Sequence, residues 1–222
     1  MVIKKTGRML MVMKMKYSKD THAIFIWLMI LTLIITVVCI ILVKQGFGAD
    51  RCQSFVQEVR VQHIKQFGLM YPYWYSVSQL ATESACRADV TAGDGGRGLA
   101  QFMPKTSTYI QGLMGERLDP YNPSHAMRMQ AFYMKRIHTL ENWDGGLWID
   151  FRIYNGGRGA LYSEYKRAGV LDPEIMHMFC QRKKIQFKWG VLDLCLVNKE
   201  YAEKIYHDGQ KYKRGSDGYR YW

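Results

Sequence analysis

From Ala23 to Val43 the chain reads AIFIWLMILTLIITVVCIILV, twenty-one residues without one charged side chain. A helix rises about 1.5 Å per residue, so a run of this length spans a hydrocarbon layer of about 30 Å. A helix buried in a soluble core seldom runs so far without polar punctuation. A cleavable signal peptide would carry a shorter apolar stretch, about 7–15 residues, ending in small residues. Phe47-Gly48-Ala49 is a poor match to such a cleavage site. The sequence therefore predicts a retained signal anchor over residues 23–43, whose Ile, Leu and Val each favour insertion by roughly 0.3–0.6 kcal/mol. Lys4, Lys5, Arg8, Lys14, Lys16 and Lys19 precede the span, whereas only Lys44 and Arg51 follow closely. By the positive-inside rule, residues 1–22 form a basic cytoplasmic tail and everything after the span lies outside. Met9, Met11, Met13 and Met15 leave the start codon open without altering that orientation. Residues 44–51 read as a linker, and residues 52–222 as one domain of ordinary size.

The net charge of +12 overstates the basicity of that domain. Residues 1–44 carry seven Lys or Arg against Asp20, a net of +6, which leaves +6 for the remainder. A mildly basic domain suits an anionic wall or membrane surface. Nucleic acid is the competing partner for a basic chain. The domain faces away from the cytoplasm and carries no nucleic-acid motif, so no nucleic-acid partner is expected. Cys39 lies inside the span and reads as a small packing residue. Cys52, Cys86, Cys180 and Cys195 lie outside, in a compartment that permits disulfides. Four cysteines allow three connectivities. Cys180–Cys195 is favoured as a local clip, leaving Cys52–Cys86 to tie the first helix of the domain to the next. There is no C-x-x-C pair, which argues against a zinc site.

The domain reads as mainly α. In CQSFVQEVRVQHIKQFG, residues Phe55, Val56, Val59, His63 and Phe67 fall near helical spacing, and Gly68 stops the helix. His63 on that face reads as a core or boundary histidine. The segment Tyr71-Pro72-Tyr73-Trp74-Tyr75 reads equally as an aromatic sugar platform or as core packing. Ser76 to Cys86 predicts a helix with an apolar stripe of Val77, Leu80, Ala81 and Ala85. Glu83 falls about 60° beyond the Leu80 edge of that stripe, at a border between core and cleft. Burial there disfavours the charged form and raises the pKa, as a general acid at neutral pH requires. The alternative is a surface glutamate at a helix end. Gly93-Asp94-Gly95-Gly96-Arg97-Gly98 lacks the Gly-Lys-Ser/Thr of a phosphate loop and a strand before it. A helix is predicted from Pro104, capped by Thr106 or Ser107, then a turn over residues 119–124. Residues 125–140 predict a helix with apolar rows Met127, Ala131, Met134 and Tyr133, Ile137, Leu140, and Asn198 to Tyr212 a final amphipathic one. No segment reads as an extended sheet or a repeat.

One stretch carries the chemistry. Residues 81–106, ATESACRADVTAGDGGRGLAQFMPKT, are followed about seventy positions on by Tyr154-Asn155-Gly156-Gly157. Over roughly residues 70–210 this order and spacing resembles the lytic transglycosylase family with its goose-lysozyme-like catalytic domain. The resemblance implies a lysozyme-like fold and cleavage of the MurNAc–GlcNAc β-1,4 bond of peptidoglycan, with no metal or cofactor. Most glycosidases use two carboxylates; the resemblance implies one. Glu83 would protonate the glycosidic oxygen, then take the proton of the C6 hydroxyl of the same muramoyl unit, leaving 1,6-anhydromuramoyl ends. Asp89 and Asp94, in the loop after Glu83, are the candidate second carboxylates if water attacks instead. Gln101 and Met103 match positions that line the glycan groove. Tyr154 matches the tyrosine that approaches carboxylate and substrate, and Asn155 its partly structural neighbour. An amide pairs with N-acetyl and hydroxyl groups, and a tyrosine offers an apolar face with a polar tip. For Met103 and Asn155 plain packing stands as an equal reading. The family's Ser-Pro-x-Gly-Ala/Val before Gly-Leu is replaced here by Ala92 to Arg97, so Thr91, displaced by one position, stands in for the substrate-contacting serine. Arg97 is expected to face away from Glu83, because a guanidinium beside it would lower its pKa.

The partners implied are peptidoglycan glycan strands and, through residues 23–43, a bacterial inner membrane or a virion membrane, with the N-terminus inside. Phage lysis or entry, a secretion or conjugation machine, and wall remodelling all suit an anchored enzyme. The rivals are a hydrolytic muramidase on the same fold and a non-catalytic peptidoglycan-binding or assembly protein.

Overall fold

A computed structural model of the chain describes residues 27–36, 50–141, 146–187 and 190–214. Two compact units separate, Met1–Ala49 and Asp50–Trp222. In the first, residues 27–36 form a helix, α1, whose Trp27, Leu28, Leu31 and Leu33 side chains are exposed. The rest of the predicted anchor, the tail 1–22, Cys39 and most of the linker lie outside the described residues. Among the described residues no helix is long and apolar enough to cross a membrane.

The second unit is built around α3 (Tyr73–Ser84), in which every position from Tyr73 to Leu80 is buried. A 3₁₀ turn (Arg51–Phe55) and α2 (Val56–Phe67) precede it, and α2 ends where Gly68 takes φ 87°. After α3 come α4 (Pro104–Met114), α5 (Pro123–Glu141), α6 (Leu147–Gly156), α7 (Arg158–Ala168) and α8 (Pro173–Met178). A hairpin, β1 (Lys184–Phe187) with β2 (Gly190–Asp193), leads into α9 (Leu194–Gly209) and a closing 3₁₀ turn (Gln210–Tyr212). The core forms where α3 packs against α9 and α2, α2 against α5, and α6 against both α5 and α9.

The aromatic segment belongs to this core and is no sugar platform: Tyr71, Tyr73, Trp74 and Tyr75 are all buried. The segment opens a helix whose positions from Tyr73 to Leu80 are all buried, so these rings pack as core. His63 is fully buried, with its ring 5.1 Å from that of Tyr71 and its Nδ1 2.9 Å from the Val59 carbonyl. Burial lowers its pKa to about 4, so it is a neutral core residue, as its place in the pattern predicted.

Helix boundaries moved for local reasons. α3 starts at Tyr73 and stops at Ser84, because Ala85 and Cys86 turn left-handed. α4 begins at Pro104, but neither Thr106 nor Ser107 caps it; Met103 precedes it without a side-chain cap. Asn122 caps α5 instead, its Oδ1 accepting from the N–H groups of Ser124 (3.0 Å) and His125 (3.2 Å). Along α5, Met127, Ala131, Met134 and Ile137 are buried, whereas Leu140 lies beyond the core and is 52 % exposed. α9 starts four positions before Asn198 because Asp193 caps it, accepting from Cys195 N at 2.9 Å. The hairpin was not foreseen: four-residue strands carry too little alternation to be read. Both favoured disulfides form, Cys52–Cys86 and Cys180–Cys195, with Cα separations of 5.3 and 5.9 Å.

Candidate active site

Glu83 sits in the last turn of α3, and its neighbour Ser84 fixes that turn. The buried Ser84 hydroxyl donates to the Leu99 carbonyl at 2.7 Å and lies 3.2 Å from that of Leu80. The end of α3 is thereby pinned to Gly98-Leu99-Ala100-Gln101, whose Leu99 and Ala100 are fully buried. Gly98 is required there. Its φ is +67°, and a Cβ would lie 1.8 Å from the Pro120 carbonyl oxygen. The glycine-rich loop folds back on itself, with Ala92 N–H on the Gly96 carbonyl (2.8 Å) and Gly98 N–H on that of Val90 (2.8 Å).

Between the end of α3 and this loop lies an open cleft of about 530 Å³, lined by Glu83, Arg87, Thr91 and Gln101 among others. Glu83 is half-buried at its wall. Burial raises its pKa from 4.5 to about 7; a hydrogen bond from Tyr201 opposes the rise, and the charge of Asp94 adds to it. The Tyr201 hydroxyl, on α9, donates to Glu83 Oε1 and receives Gln79 Nε2 at 3.3 Å. Gln130 Nε2 in turn donates to Gln79 Oε1 at 2.7 Å and to the Ser76 carbonyl at 3.0 Å. Gln79 and Gln130 are wholly buried. A carboxylate that titrates near neutrality is thus steadied on one oxygen by a buried relay of side chains.

Tyr154, on α6, donates its hydroxyl to the Ala100 carbonyl at 2.7 Å. Burial and the charge of Glu83 hold its pKa well above the ordinary value, so the phenol keeps its proton. Thr91 is exposed at the rim, its hydroxyl 2.7 Å from that of Tyr121. Gln101 adopts φ 51°, and its Nε2 donates to the Gly98 carbonyl at 2.7 Å, so its amide also staples the loop. Met103 is 42 % exposed and stands outside the set lining the cleft. Asn155 is turned to the scaffold: its Oδ1 accepts from Asn198 Nδ2 at 2.9 Å. Tyr154-Asn155-Gly156 is the end of a helix and not a free turn. Gly156 lets that end approach α9 closely, since a Cβ would meet Arg182 Nη1 at 2.0 Å and Asn198 Nδ2 at 2.6 Å. Arg182 and Arg152 share the buried Glu164 carboxylate, at 2.8 and 2.6 Å. Arg97 is exposed, and the acidity of Glu83 is set by burial first, then by Tyr201 and Asp94, without it.

The sequence reading missed Tyr201, Gln79, Gln130 and Ser84. Gln79 had a signal, one helical turn before Glu83 and on the same side of the helix. Tyr201 had none that pairs it with a residue 118 positions away.

The fold is shared with other proteins of known structure. An inactive mutant of the lytic transglycosylase Slt from Pseudomonas aeruginosa superposes with a TM-score of 0.54 at 21 % identity, covering 70 % of this chain and 23 % of that one. The 70-kDa soluble lytic transglycosylase from Escherichia coli gives 0.52 at 18 %, covering 68 % of this chain and 23 % of that one. A 70-kDa soluble lytic transglycosylase in complex with bulgecin A gives 0.51 at 19 %, covering 68 % of this chain and 24 % of that one. The chain therefore spans about a quarter of the length of these proteins, and the likeness is one of fold. Compared with curated proteins, the sequence finds no match. The family described as Transglycosylase SLT domain matches residues 62–176, just over half of the chain and including Glu83, the glycine-rich loop and Tyr154, and the chain belongs to that family.

Proposed function

We propose that the chain is a membrane-anchored lytic transglycosylase that cleaves the MurNAc–GlcNAc β-1,4 bond of peptidoglycan, with Glu83 as general acid and base. The observation that carries the reading is a carboxylic acid titrating near pH 7 at the wall of an open cleft, with a tyrosine hydroxyl held against it. Protonated Glu83 gives its proton to the glycosidic oxygen as the bond to C1 of the muramoyl unit breaks. Positive charge develops at C1, and the ionised Glu83 lies beside it. The C6 hydroxyl of the same unit then closes on C1 and passes its proton to Glu83, which restores the acid. The product ends in 1,6-anhydromuramic acid, and no water is consumed. Tyr201 favours the ionised carboxylate by donating to it. Ser84 and the Leu99 carbonyl hold the acid in register with the loop. Gln101, Thr91 and the face of Tyr154 would border the glycan, with Met103 further along the groove and Asn155 supporting it from behind.

The anchor is part of the proposal. Its support is the uncharged run 23–43, the six basic residues before it, and the exposed apolar helix at 27–36. Such an anchor would restrict wall opening to the vicinity of the membrane. Recovery of the mature protein free in the periplasm or medium would refute it.

The test is to incubate the purified full chain, in mild detergent with its disulfides formed, with peptidoglycan sacculi. Products are read by mass spectrometry beside those of Glu83→Gln. Muropeptides lighter by one water, absent with the variant, support the proposal. Reducing ends, also lost in the variant, would make the chain a muramidase and Asp94, whose charge reaches Glu83, its second carboxylate. A folded chain that binds sacculi and releases nothing would be a binding or assembly protein.

A further inference from the structure

We propose that Arg87 is a specificity-determining residue of the cleft, which recognises a carboxylate carried by the muramoyl unit of the glycan; this rests on the glycan-cleaving reading above. The backbone leading to Arg87 is strained. Ala85 (φ 51°), Cys86 (φ 55°) and Gln101 (φ 51°) are the non-glycine residues with positive φ among those described. Such a position is strained and persists only where its surroundings enforce it. Ala85 and Gln101 line the cleft, and Cys86 is held by its disulfide to Cys52.

This enforced turn delivers Arg87 to the cleft wall and fixes the base of its guanidinium. The Arg87 backbone N–H and Nε both donate to the Ser84 carbonyl, at 3.1 and 3.2 Å. Nη1 and Nη2 donate to no protein group among the described residues, so the open side of the fork is left for a ligand in an exposed position. A guanidinium fixed through Nε presents two parallel donors, the geometry that grips a carboxylate bidentately. Arg87 is absent from the groups that set the acidity of Glu83, so an anion can be held there without disarming the acid.

The muramoyl unit offers such a carboxylate from two sources. One is the lactyl group of a strand stripped of its peptide; the other is the peptide stem itself. The experiment uses four soluble glycan preparations from sacculi: stem-bearing strands, the same with carboxylates amidated, stripped strands, and stripped strands with the lactyl group amidated. Binding is measured by titration calorimetry on the full chain carrying Glu83→Gln, and kcat/KM on the full chain without it. The expected result is a preference of about tenfold or more for the carboxylate form over its amidated counterpart in one of the two pairs. The pair that shows it names the source. Arg87→Gln abolishes the preference, and Arg87→Lys, with charge but no fork, retains part of it and guards against a folding defect. Equal binding of carboxylate and amidated forms in both pairs, or a preference unchanged in Arg87→Gln, overturns the proposal. Absence of product from every strand would refute the transglycosylase reading instead, and calorimetry on the Glu83→Gln background would still decide the role of Arg87.

Discussion

Replacing Glu83 by Gln is expected to stabilise the chain, and to do so only at neutral and alkaline pH. An unfolded glutamate titrates near 4.5, whereas burial raises Glu83 to about 7 in the folded state. The folded state therefore holds the proton more tightly. Below pH 4.5 both states are protonated and the acid carries no penalty. As pH rises from 4.5 through 7, the unfolded chain ionises freely while the folded chain must ionise a half-buried group, and stability falls. A displacement of that size corresponds to about 3 kcal/mol at its ceiling. The solvent edge that Glu83 keeps in the cleft brings the expected loss to about 1–3 kcal/mol. Gln has the same shape, carries no charge, and can still accept from Tyr201. The variant should thus match the parent at pH 4 and exceed it by about 1–3 kcal/mol at pH 8. The assay is urea unfolding of the full chain in mild detergent at pH 4, 6 and 8, followed by fluorescence of the buried Trp74 and Trp148. A difference that is the same at all three pH values would refute the reasoning, as would a variant less stable at pH 8.

Three further outcomes follow from named contacts. Tyr201→Phe removes the hydroxyl that favours the ionised Glu83; a hydrogen bond to a charge is worth about 1.5–3 kcal/mol, so the alkaline limb of the kcat/KM profile should move up by about one to two pH units. An unmoved limb would mean that Tyr201 does not tune the acid. Gly98→Ala places a Cβ 1.8 Å from the Pro120 oxygen at φ +67°, and should lower stability by about 2–4 kcal/mol in denaturant titrations. Glu164→Gln leaves Arg152 and Arg182 without their shared counter-charge in the interior, and should lower stability by about 3–5 kcal/mol, read as a fall in the thermal midpoint at unchanged disulfide content.

Periodicity made much of this domain legible. The rows Val56, Val59, His63 and Met127, Ala131, Met134 are buried, as a period of 3.6 predicts. The same arithmetic set Glu83 at the border of its helix stripe, where the structure half-buries it. Where periodicity is silent the reading faltered. An aromatic run such as Tyr71 to Tyr75 is equally apt for sugar or for core, and only the helices packed around α3 make it core. Asn155 shares a motif with Tyr154, yet Asn198 on α9 turns it away from the cleft. Leu140 keeps the spacing of a core residue but overruns the core by a turn.

The uncharged run at 23–43 and the helical class of the domain are written in the local sequence, whereas the four outer cysteines leave three pairings open and Glu83 stands out only through the family resemblance. The first two follow from local chemistry: apolar spacing and glycine at helix ends. Tertiary structure alone decided what kind of acid Glu83 is. Its affinity for a proton depends on how much water the fold removes, on the Tyr201 hydroxyl brought from 118 residues away, and on the charge of Asp94 in the glycine-rich loop. Desolvation and through-space hydrogen bonds have no sequence period, so they come into being only when α3, α9 and the glycine-rich loop are packed together.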